Sequence, residues 1–334
     1  MTTMMILVQV FALLSLAVFC DSQRGFCESQ VGGISPSWEE KRAQVATGSG
    51  FLAALDQSGG STPKALDLYG VPKDLYREGD TSMFDAVHGM RSRIISSPSF
   101  LGGDHGIVGA ILFEDTMDRN IEGIPTCEYL WEKKRVVPFL KIDKGLMPQE
   151  NGVQVMKPIP ELEALCDRAK TLGVFGTKMR SVIKSANPEG IQAVVDQQFV
   201  SGKIILSRGL VPIIEPEVDI HSPEKAECEA ILKQVLLEHL DNLGDDENVI
   251  LKLSLPTIAN FYKEFTSHPR CLRVVALSGG YSREMANSIL SHQEKMIGSF
   301  SRGLTEGLSY SMSEAEFDEA LQESIASIAA ASAT

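Results

Sequence analysis

From Ser37 onward the chain repeats one pattern. An apolar run of strand length is followed by a segment with helical spacing. The apolar runs are Gly50–Asp56, Ile107–Phe113, Val136–Asp143, Val174–Lys178, Val211–Glu215, Val249–Leu253, Arg273–Leu277 and Ile297–Ser301. They are continuous rather than alternating, which is the signature of strands covered on both faces. Several intervening segments open on helix-start signals. Ser37-Trp38-Glu39-Glu40 and Ser313-Glu314-Ala315-Glu316 read as capping boxes, the second starting a helix that runs to about Ala329. Asn187-Pro188 supplies an N-cap followed by proline at the first helical position, and Ser222-Pro223-Glu224 opens another helix. Strand–helix alternation predicts parallel βα units, and eight of them predict an α/β fold of one closed (β/α)8 TIM barrel spanning 37–330. An open doubly wound sheet is the competitor. It calls for a GxGxxG fingerprint after the first strand, which Gly59-Gly60 does not match.

Ahead of the barrel lies a different composition. Met4–Phe19 is apolar apart from Gln9 and Ser15 and carries no charge. It reads as a signal-like segment over 1–20, with cleavage near Asp21, although its n-region holds no Lys or Arg. Residues 21–36 are rich in Gly and Ser and read as a linker or a second targeting piece. The expectation is entry to the secretory route, with a plastid of secondary origin as one destination, and no stable membrane span in the mature protein. Without that route the protein is cytoplasmic.

The formal net charge of −13 argues against a nucleic-acid-binding surface. It leaves room for phosphates held locally by backbone N–H groups and a few cations. The six cysteines and six histidines are scattered, with no CxxC or HExxH spacing, so the cysteines read as reduced thiols. No metal or other cofactor is expected. A homo-oligomer is compatible with the sequence.

Candidate chemistry sits at the C-terminal ends of the strands, where barrels of this kind place their active residues. The first carries Asp56 and Ser58, the second Glu114 and Asp115, and the third Lys141 and Asp143. The fourth carries Lys178 and Arg180, the fifth Glu215 and Glu217, the sixth Lys252. The seventh is followed by Ser278-Gly279-Gly280 and the eighth by Arg302. Lys252 stands out because it interrupts Val249-Ile250-Leu251 and Leu253. A buried ammonium is costly unless paired or neutralised, and a desolvated amine can attack a carbonyl to form a Schiff base. Ser278-Gly279-Gly280 lies between a strand and a helix start near Ser282, where backbone N–H groups favour an anion. With Arg302 it reads as one phosphate site, and Ser58-Gly59-Gly60-Ser61 as a second, so a bisphosphorylated substrate is expected.

As an ordered set, these segments resemble the class I, Schiff-base-forming fructose-bisphosphate aldolases, in the shorter version found in bacteria, algae and protists. The resemblance rests on Leu52 to Ser61, Ala110 to Glu114, Leu140 to Gly145, Thr177 to Arg180, Val211 to Glu217, Leu251-Lys252 and Leu277 to Gly280. It implies reversible cleavage of fructose 1,6-bisphosphate to dihydroxyacetone phosphate and glyceraldehyde 3-phosphate, in glycolysis, gluconeogenesis or the Calvin cycle. It also implies roles. Lys252 forms the Schiff base, Glu215 is the acid/base for carbinolamine dehydration, Lys178 polarises the hydroxyls during cleavage, and Asp56 orients the C4 hydroxyl. Lys141, Ser58 and Ser61 contact one phosphate; Ser278, Gly279, Gly280 and Arg302 hold the other; Arg180 is a further substrate contact. Two features depart from the animal members. These end in a tyrosine that assists proton exchange, whereas the last tyrosine here is Tyr310, and Arg302 follows Ser301 directly. The rivals are another Schiff-base barrel, such as a transaldolase, and a non-catalytic barrel used for binding. Two phosphate cradles argue against the first, and the intact Lys252, Glu215, Lys178 and Asp56 set against the second.

Overall fold

Eight parallel strands pair in chain order: β1 (Phe51–Leu55), β2 (Ile107–Leu112), β3 (Val137–Lys141), β4 (Gly176–Ile183), β5 (Val211–Val218), β6 (Val249–Ser254), β7 (Cys271–Leu277) and β8 (Met296–Gly298). The Ala54 N–H donates to the Phe300 carbonyl at 3.2 Å, which joins the end of β8 to β1 and brings the sheet round nearly to closure. These relations come from a computed structural model that describes residues 36–334. The signal-like segment and most of the linker expected over 1–36 lie outside the described residues. Within Lys41–Thr334 the principal helices are α2 (Ser61–Tyr69), α3 (Thr81–Ser96), α4 (Leu162–Thr171), α5 (Pro188–Ser207), α6 (Lys225–Asp241), α7 (Arg283–Leu290) and α8 (Glu314–Ala331). A further helix, α1 (Pro36–Thr47), precedes β1.

Strand alternation sorts each strand into two faces. On β6, Val249, Leu251 and Leu253 join the cluster packed against the helices, so Ile250, Lys252 and Ser254 face the barrel interior. The same parity turns Asp56, Lys141, Asp143, Lys178, Arg180, Glu215 and Glu217 inward, because Leu55, Leu140, Ile142, Met179, Ile214 and Val218 belong to the outer cluster. Below the polar layer the interior is filled by apolar side chains such as Leu52, Phe139, Ile213, Ile250, Val275 and Ile297, all buried. A wide ring such as Phe139 fits because its neighbours are glycines. A Cβ on Gly109 of β2 or Gly176 of β4 would come within 3.0 Å and 2.9 Å of that ring.

The opposite end of the barrel is closed by polar contacts. Lys41 donates to the Gly173 carbonyl at 2.9 Å, and Gln44 to the carbonyls of Val108 and Arg135 at 2.8 and 2.7 Å. Thr334 is fixed there as well, its hydroxyl donating to the Gln293 carbonyl at 2.6 Å.

Most start signals act as expected. Asn187 Oδ1 accepts from the Gly190 N–H at 2.8 Å, Ser282 caps α7, and Ser313 with Glu316 forms a complete capping box on α8. Two do not. α1 begins at Pro36, so Ser37 lies in its first turn rather than at its cap. α6 begins at Lys225, because Ser222 accepts from the Glu224 N–H in a turn that precedes the helix. Between β6 and β7 there is only a 3-10 segment, Lys263–Ser267.

Candidate active site

The inward residues at the C-terminal ends of the strands line a cavity of about 600 Å³. Its floor is a chain of alternating charges. Lys178 Nζ lies 2.7 Å from Asp56 Oδ2 and 2.8 Å from Glu215 Oε2, and Lys252 Nζ lies 3.1 Å from Glu215 Oε1. All four side chains are buried. Register explains the arrangement. Ile213 pairs with Ile250 and Ile214 with Leu251, so the next step along β5 and β6 sets Glu215 beside Lys252. Lys178 does not confront Lys252 as a bare cation, because one Glu215 carboxylate faces both amines. The Glu215–Lys178 contact is a close ion pair rather than an aligned hydrogen bond.

Electrostatics fixes the charge states. Burial is the largest influence on Asp56 and pushes its carboxyl up. Lys178 first, then Lys252 and Lys141, outweigh burial and hold Asp56 well below the usual carboxylate range. Glu215 is lowered in the same way: burial acts upward, and Lys178 and Lys252 act downward and prevail. Burial would lower Lys178, but Asp56 and Glu215 raise it well above an ordinary lysine.

Two further pairs stand on the walls. Lys141 Nζ donates to Asp143 Oδ1 at 2.6 Å and to the Asp143 carbonyl at 2.9 Å, and Arg180 pairs with Glu217. The turn after β7 carries Gly279 at φ 61° and Gly280 at φ 130°. A Cβ on Gly280 would sit 3.5 Å from an Arg302 guanidinium nitrogen, so that cation arrives beside the turn. Arg302 is exposed, and no ion pair engages it among the described residues. At the first strand, the Ser61 hydroxyl donates to the Ser58 carbonyl at 2.8 Å and accepts from the Ser58 N–H at 2.9 Å. Ser58 and Ser61 both line the cavity, with the Ser61 hydroxyl engaged in its own turn.

Of the strand ends singled out in the sequence, one stays out of the cavity. Glu114 and Asp115 open a short helix after β2, where Glu114 pairs with Lys144 and Arg168, and Asp115 with Arg119. Gln57, Lys64, Ser299 and Ser301 line the cavity and were not singled out. Lys64 had a readable signal, since it follows Ser61 by three residues on α2 and so shares its face. Arg91 was also missed. It is wholly buried on α3, with Val87 and Ile94 on the same face. Burial pulls its guanidinium down to about 10, against Asp56 and Asp115, so it remains charged at neutral pH.

Fold and site together define a class: (β/α)8 barrels with a buried lysine–carboxylate chain at the C-terminal mouth. The family model for class I fructose-bisphosphate aldolase matches residues 39–260. A class 1 fructose-bisphosphate aldolase from Porphyromonas gingivalis is 57% identical over 294 residues, which cover 88% of this chain and 99% of that protein. One from Synechocystis is 54% identical over 296 residues, covering 89% and 98%. Among solved structures, fructose-bisphosphate aldolase from Plasmodium falciparum superposes with a TM-score of 0.68 at 21% identity, covering 90% of this chain and 95% of that one, a likeness of fold. The chain belongs to the class I fructose-bisphosphate aldolase family.

Proposed function

We propose that the Lys252–Glu215–Lys178–Asp56 chain carries the aldol cleavage that places this protein among the lyases. The substrate is fructose 1,6-bisphosphate, the products are dihydroxyacetone phosphate and glyceraldehyde 3-phosphate, and the reaction is reversible. The observation that carries the role assignment is the single Glu215 carboxylate bridging two buried amines, at 2.8 and 3.1 Å. Lys252 attacks the ketone carbon after giving a proton to Glu215, the carboxylate that contacts it. Glu215, now an acid, returns that proton to the carbinolamine hydroxyl, which leaves as water. The resulting protonated imine is an electron sink. Asp56, kept ionised by Lys178, accepts the hydrogen of the C4 hydroxyl as the C3–C4 bond breaks and its electron pair enters the imine as an enamine. Lys178 stabilises oxygen charge that develops beside it.

The walls supply orientation. Ser278, Gly279, Gly280 and Arg302 take one phosphate, Ser58, Ser61 and Lys141 the other, and Arg180 a substrate hydroxyl. Lys141 begins bound to Asp143 and Ser61 bound within its turn, so both exchange an internal partner for a phosphate oxygen.

Borohydride reduction in the presence of dihydroxyacetone phosphate tests the assignment. A reduced triose adduct is expected on the peptide containing Lys252, and Lys252→Met is expected to abolish both adduct and turnover. An adduct on Lys178 or Lys141 would overturn the assignment of Lys252 as the imine-forming lysine.

A further inference from the structure

One side chain ties together the loops after β1 and β8. The Gln57 amide donates to Ser301 Oγ at 2.6 Å, across 244 positions of sequence. Gln57 is itself held from behind. Arg91 donates to the Gln57 backbone carbonyl, reaches its side-chain oxygen at 3.4 Å, and donates to Thr116 Oγ1 at 2.8 Å. No ion pair engages Arg91 among the described residues, and its Nε has no hydrogen-bond partner. A buried cation so placed is weak evidence for stabilisation, because neutral acceptors offset its desolvation only in part. Its planar fork does fix the acceptors it touches.

Position gives this contact meaning. Gln57 stands between Asp56 and Ser58, and Ser301 immediately precedes Arg302. The bridge therefore joins one phosphate cradle to the cation of the other. We propose that Gln57, held by Arg91, is a positioning residue that sets the separation of the two phosphate cradles and so selects bisphosphorylated over monophosphorylated ketoses. This rests on the proposed function, in which the cavity binds a sugar bisphosphate across both cradles. A substrate with two phosphates gains from both cradles only when their spacing is preorganised to match it. A substrate with one phosphate engages one cradle and is indifferent to the spacing.

The test uses the full chain and the Gln57→Met variant, which keeps side-chain length and removes both polar ends. Its KM for fructose 1,6-bisphosphate is expected to rise about tenfold, in line with one lost hydrogen bond, and its KM for fructose 1-phosphate to change less than about twofold. Gln57→Glu can still accept from the Ser301 hydroxyl and from Arg91, and is expected to recover most of the difference. Adding Ser301→Ala to Gln57→Met is expected to cost little more, since both remove the same bond. Equal changes for the two sugars, no change for either, or a fully additive double variant would each overturn the proposal. Borohydride trapping at Lys252 runs alongside. If the wild type forms the adduct and the selectivity does not move, the bridge proposal fails alone; if the wild type forms none, the proposed function beneath it fails.

Discussion

In the floor of the barrel Lys178 is the buried cation that contacts both carboxylates, Asp56 and Glu215. Its effect on stability has a definite sign. Asp56 and Glu215 are depressed below their ordinary values of 3.8 and 4.5, so their contribution is present above those values and is lost as pH falls through the folded-state ones. Lys178 is raised above 10.5, so its contribution is present below that value and is lost as pH climbs past it. Between these limits wild-type stability is expected to vary little on account of this group. Lys178→Met removes the charge and leaves two buried carboxylates sharing Lys252. Breaking a buried pair on one side typically costs about 3–5 kcal/mol. With Lys178 gone, burial is expected to outweigh Lys252 and raise the carboxyls above their unfolded values, which reverses the sign: the variant is expected to gain stability as pH falls from about 7 to about 5. Urea-denaturation midpoints of both proteins at the two pH values check this, and parallel behaviour would show that Lys178 is not what keeps the carboxylates ionised.

At the scale of elements, the turn after β7 shows how closely the backbone is constrained. Gly279 has φ 61°, and a Cβ there would lie 2.6 Å from Ile220 Cγ2 in the loop after β5. Gly279→Ala therefore combines a left-handed conformation, costing about 1–2 kcal/mol, with an overlap that pushes the turn away from Arg302. The KM for the bisphosphate is expected to rise more than kcat falls, and adding Ile220→Ala is expected to restore part of the loss, because it removes the overlap and leaves the backbone strain. Steady-state kinetics of the single and double variants measure both. The strands were legible in sequence because burial on both faces leaves uninterrupted apolar runs. Their ends were less so. β4 continues through Arg180 to Ile183, and β5 through Glu217 to Val218. There the polar residues facing the cavity look like strand termination although the backbone ladder persists. Lys252 was legible because a lone charge in an apolar run needs a reason. Arg91 and Gln57 were not, because their significance lies in contacts 34 positions apart and with Ser301, which no local periodicity encodes.

For the molecule as a whole, an acidic chain concentrates Lys141, Lys178, Arg180, Lys252 and Arg302 around one cavity. Field focusing of this kind draws an anionic bisphosphate despite the net charge of −13. In the proposed mechanism the imine on Lys252 supplies the electron sink, so EDTA is expected to leave turnover unchanged. Inactivation that added zinc reverses would point instead to a Lewis acid at the carbonyl.

The barrel's parts also bear on the N-terminal stretch. All eight strands lie between Phe51 and Gly298, and the cavity residues run from Ala54 to Thr305. The face opposite the mouth is satisfied by Lys41, Gln44 and Thr334. Among the described residues the strands, the cavity and the opposite face are supplied from within Lys41–Thr334, so a chain beginning at Ser35 is expected to keep the kcat, KM and melting temperature of the full sequence. An apolar run such as Met4–Phe19 is an aggregation liability when exposed to water, and its removal in the cell is proposed. Kinetics and thermal melting of the shortened chain test the first expectation, and N-terminal sequencing of the native protein tests the second. A native chain starting near Asp21 supports cleavage, whereas one starting at Met1 or Thr2 excludes it. A shortened chain that melts earlier would show that the segment contributes to the fold after all.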